Sequence, residues 1–115
     1  MTKENLKKIS ILIDRWGIAS QLVMTIKEAG RLQVVCSKIL RGKIPRTELV
    51  DALGDMYVMM QTLCTMYGIT GDDLDRIATK KLDYGMMEEG LQKATRLVEE
   101  DEMRGEDVVS DIDML

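Results

Sequence analysis

A single proline in a chain of 115 residues sets the tightest limit on the fold. Pro45 is the one residue whose ring cannot enter a helix interior, so long helices are permitted on both sides of it. The apolar residues use that freedom. Within residues 4–15, Leu6, Ile9, Leu12 and Ile13 recur at the helical period. Trp16-Gly17 then breaks or bends the segment. A second, longer helix is predicted from Ala19 to Leu40, with Leu22, Val23, Ile26, Leu32, Val35, Cys36 and Ile39 among its apolar members. That stripe is broad, so the helix should be covered on more than one side. Gly42, between Arg41 and Lys43, stands where a helix stop is expected.

The next start falls at Pro45 or Thr47, with Thr47 as an N-cap or Pro45 in the first turn. A third helix is predicted over Glu48 to Tyr67, closed by Gly68. Thr70 opens a fourth, with Asp72, Asp73 and Asp75 near its positive end and Leu74, Ile77, Ala78 and Leu82 along it. Gly85 should interrupt it, leaving Met86 to Glu99 as a further helical piece. No strand alternation, tandem repeat or long linker stands out. The expectation is an all-α helical bundle of four to five helices, one domain over residues 1–99. Residues 100–115, EDEMRGEDVVSDIDML, read as an acidic, flexible tail. The other reading is a short docking strand or helix built on Val108, Val109, Ile112 and Leu115.

Composition narrows the chemistry. With no Phe, one Trp and ten Met, the core must be aliphatic and partly methionine. Cys36 and Cys64 lie in apolar helical stretches and read as buried, reduced thiols. The absence of His removes His-based nucleophile systems and His-ligated metal sites. Any metal would be held by carboxylates, which favours Mg²⁺. The net charge of −4 and the lack of a basic run argue against nucleic acid as partner. No apolar run of the roughly 20 residues needed to cross a bilayer is evident. The N-terminus lacks a signal-peptide pattern, so a cytoplasmic location is the default expectation.

Two carboxylates interrupt the apolar helices. Glu28 lies among Ile26, Ala29 and Leu32; Asp55 lies between Leu53 and Met56. A charge so placed faces solvent or meets a partner. Gly30 and Gly54 sit nearby, each about 1 kcal/mol worse than Ala inside a helix. Close helix approach would explain both glycines and bring Glu28 towards Asp55. Two surface carboxylates beside two tolerated glycines is the plainer alternative.

The stretch WGIASQLVMTIKEAGRLQVVCSKILRGKIPRTELVDALGDMYVMMQTL, followed by GITGDDLDRIATKKL, resembles the core of the MazG-like all-α nucleoside triphosphate pyrophosphohydrolases over residues 16–82. That family carries ExxE on one helix and ExxD on the next. Residues three apart share a helical face, and the four carboxylates hold Mg²⁺ against the triphosphate. The resemblance implies an oligomeric helical bundle, a homodimer or homotetramer, that binds nucleotides. Glu28 matches the first Glu of ExxE, but Arg31 stands at the second. Ala52 replaces the Glu of ExxD, and Asp55 matches its Asp. Lys81 matches a phosphate-binding Lys further on, while Tyr84 stands in place of an Arg.

These departures reduce the site's charge from −4 to −1, counting Glu28, Asp55 and Arg31. Hard cations favour anionic oxygen cages. The first expectation is therefore a MazG-like protein that binds a nucleotide or related phosphate ligand with weak or no hydrolysis. Arg31, Lys81 and Tyr84 would contact that ligand, with Glu28 and Asp55 at the former catalytic positions. Arg31 could serve where the metal served, since a guanidinium binds phosphate by paired donors; it could equally pair with Glu28. A second expectation is an active Mg²⁺-dependent enzyme with Glu28, Asp51 and Asp55 as metal ligands. A third is a protein-interaction module, suggested by Met56, Met59, Met60 and Met66 and by the acidic tail.

Overall fold

The computed structural model describes residues 1–87, Arg96, and the backbone of Val108 and Val109. It is mostly helical, in the order α1 (Lys3–Arg41), β1 (Ile44–Pro45), α2 (Arg46–Tyr67), α3 (Gly71–Met87) and β2 (Val108–Val109). α1 and α2 pack as an antiparallel hairpin joined by β1. Three helices are present among the described residues. The expected fifth segment and most of the tail lie outside them.

α1 is broken at Gly17, whose φ of 85° and ψ of 164° belong to a region open to glycine alone. The short arm before it turns back, so that Leu12 and Trp16 stand beside Val58 and Met59 of α2. The Thr2 hydroxyl caps the arm by accepting from the Asn5 amide at 3.1 Å. At the other end, the Gly42 amide donates to Lys38 and Ile39.

The core lies next to this connection. Val35, Ile44 and Ala52 are buried against Leu32, Ile39 and Leu49. Among the described residues α2 alone packs extensively on α1, so the expected cover on several sides is not met there: Val23, Ile26 and Val34 are exposed. Cys36 is exposed too, and Cys64 only partly buried. Val35 takes the inward position, and one residue's rotation along the helix carries Cys36 away from α2.

Several local expectations are corrected. α2 begins at Arg46, with Pro45 as the N-cap residue and Thr47 already inside the helix. α3 continues through Gly85 to Met87 instead of stopping there. A Cβ built on Gly30 or Gly54 would meet nothing within 4 Å, so neither glycine serves a close approach of α1 and α2. Strands also occur: β1 and β2 pair antiparallel, with Ile44 opposite Val109 and Pro45 opposite Val108.

Gly68, in the left-handed conformation, ends α2, and the Ile69 amide donates to the Cys64 carbonyl at 2.9 Å. α3 is amphipathic, with Leu74, Ile77, Ala78 and Leu82 on one arc and Asp72, Arg76, Lys80 and Asp83 on the other. None of its residues is buried.

α1 also holds an 18-residue window with a mean hydropathy of 1.3, long and apolar enough to cross a membrane by length and composition. The sequence expectation of no such stretch is corrected here. Asp14, Arg15 and the opened backbone at Gly17 fall in mid-window, and each is costly in hydrocarbon.

Candidate functional site

Glu28 on α1 and Asp55 on α2 line one cleft of about 770 Å³. Its walls are mainly apolar, from Leu12, Trp16, Val23 and Met24 of α1 and Val58 and Met59 of α2. Gln21, itself buried, adds an amide. The break at Gly17 shapes the cleft, because it brings Leu12 and Trp16 to the same space as Met24 and Glu28. The volume falls within the range of ordinary small-molecule pockets.

Arg31, one turn beyond Glu28, does not pair with it. Its guanidinium reaches across to α2, donating through Nη1 to Asp55 Oδ2 and through Nη2 to Asp51 Oδ2. Two acids on neighbouring turns of α2 are thus bridged by one fork from α1. The hydrogen bond to Asp51, above all, pushes the Arg31 pKa further upward, and the charges of Asp51, Asp55 and Glu28 add to the effect. A second cross-helix pair, Lys38 to Glu48 at 2.7 Å, lies nearer the connection.

Glu28 is left in a different state. Its Oε2 is shielded from solvent and has no hydrogen-bond partner among the described residues. Buried carboxylate oxygens rarely stand unsatisfied, since desolvation costs about 1–3 kcal/mol or more.

The other expected site residues separate. Asp51 does not line the cleft and is held by Arg31. Lys81 and Tyr84 lie exposed on α3 and contribute nothing to the cleft of their own chain. Ala52, where the family carries a metal-binding Glu, is 1% exposed and sealed into the core.

These residues do not fit a Mg²⁺ site. Among the described residues, no three Asp, Glu or Cys side chains stand close enough to hold a metal. The two acids of α2 face a guanidinium, and a cation between them would meet that fixed positive charge.

Sequence reasoning missed the Arg31–Asp51 bond and the parts played by Trp16 and Gln21. A polar residue inside an apolar helical run is the signal that could have found Gln21, the same signal that singled out Glu28. Compared with known protein families, curated proteins and solved structures, the chain matches none.

Proposed function

We propose that this chain is a MazG-like helical protein that binds a nucleotide or related phosphate ligand without hydrolysing it. The observation that carries the reading is the Arg31 fork: it joins Asp55, both at positions where the resembled family places carboxylates around a metal, and also takes up Asp51, which lies outside that pattern. An ion pair there supplies charge balance between the helices but no metal-bound water. The adjoining cleft is of ligand size and is lined by two acidic groups from the pattern, Asp55, held by Arg31, and Glu28.

Calorimetry with a panel of nucleotides, with and without Mg²⁺, tests the reading. Binding that is insensitive to Mg²⁺, with no pyrophosphate released, is the expected result. Turnover that depends on Mg²⁺ or Mn²⁺ returns the protein to the enzymes and rejects the role given to Arg31; no binding of any nucleotide ends the proposal.

The protein acts in this reading as a homo-oligomer. α3, with an apolar arc and no buried residue, is the element most in need of cover. In an oligomer, Lys81 and Tyr84 can approach the cleft of a neighbouring copy, which they do not reach in their own.

A further inference from the structure

We propose that Glu28 recognises a paired N–H edge of a flat heterocycle, of the kind guanine presents, held against Trp16 in the cleft between α1 and α2. This deepens the nucleotide reading and rests on it for the choice of ligand class, but its support is separate. Of the two acids lining the cleft, Asp55 is neutralised by Arg31 and Glu28 is not. Among the described residues the polar end therefore offers acceptors and no free cation, which suits N–H donors and opposes phosphate at that end. Glu28 Oε2 has no partner among the described residues, and rotation about the soft terminal torsion of a carboxylate presents either oxygen to the cleft. Two adjacent N–H groups can then bond both oxygens together. A base whose ring N–H is flanked by two carbonyls, as in uracil, sets its own acceptors against the same carboxylate.

The walls agree with a flat occupant. Trp16 offers an indole face, and Met24 and Met59 are polarizable and adaptable. The apolar lining and volume suit a ring system. Stacking alone would accept any base; the discrimination comes from Glu28.

Trp16 is the only tryptophan in the chain, so its fluorescence reports the cleft without a label. Guanosine, uridine and inorganic tripolyphosphate are titrated into the full chain and into Glu28→Gln, with circular dichroism confirming that the variant folds. Glu28→Ala serves as a second variant if the first does not. Guanosine is expected to alter the emission and to bind roughly tenfold to a hundredfold more tightly than uridine, as hydrogen bonds to a charged acceptor allow. That preference should vanish in the variant, while tripolyphosphate leaves the emission unchanged. Equal binding of guanosine and uridine, or an unaltered preference in Glu28→Gln, overturns the role of Glu28. Calorimetry with GTP and UTP separates the two proposals. Equal binding of both leaves the nucleotide reading standing without this one. Guanosine binding with no gain from the triphosphate supports Glu28 and counts against the phosphate.

Discussion

At the scale of single residues, the departures from the resembled motif are not equivalent. Arg31 is a half-exposed fork, and its loss leaves Asp51 and Asp55 without their shared counter-charge. Arg31→Ala should lower the urea unfolding midpoint only slightly, as expected of an exposed ion pair, with an unchanged slope. Ala52 is different, because it is enclosed by Val35, Ile44 and their neighbours. Restoring the motif with Ala52→Glu should therefore cost about 3 kcal/mol or more, since a carboxylate would be buried without a partner. A Glu at 52 that left the melting temperature unchanged would show that the core here yields. Gly17 carries the other sharp requirement. A Cβ there meets open space, so Gly17→Ala acts through backbone strain alone, about 1–3 kcal/mol. It should also move Trp16 emission, because the break positions the indole.

At the scale of elements, α3 holds itself up locally. The Thr70 hydroxyl accepts from the Asp73 amide at 3.1 Å, and the Asp73 carboxylate accepts from the Thr70 amide at 2.9 Å, a reciprocal cap. The backbone hydrogen bond from Thr70 is the first cause holding the Asp73 pKa below the usual carboxylate value, followed by the Thr70 side chain and then Arg76. Because the folded value lies below the unfolded one, the cap's contribution is full above the ordinary carboxylate value, about pH 4, and is lost as the pH falls from there through the lower, folded value. Thr70→Ala should cost about 1 kcal/mol, seen as reduced helicity at neutral pH and a smaller change on acidification. Much at this scale was legible in the sequence. Gly17, Gly42 and Gly68 mark the observed breaks because glycine answers to local backbone geometry, which sequence carries directly. Gly30 and Gly54 misled for the same reason: their glycines carry no sign of what lies opposite. The partners of Arg31 were half legible, since i+3 spacing pointed to Glu28 while the observed bonds run to another helix. Pairing across helices depends on their relative rotation, which periodicity leaves open.

At the scale of the whole molecule, a broad apolar surface accompanies a thin core. Light scattering should return at least twice the chain mass of 13.0 kDa. A charge placed on the apolar arc of α3, as in Ile77→Asp, should lower that mass if the arc lies in the contact, without unfolding the α1–α2 hairpin. The joint between the two long helices has its own consequence. It is a two-residue strand, and one of its two positions is Pro45, which has no N–H to give. In the described pairing Pro45 therefore offers no donor at its position opposite Val108. Amides at this latch should exchange with solvent before those of α2. When it lifts, the bared edge is a poor template for a foreign strand, because the proline withholds a donor that such a strand would need.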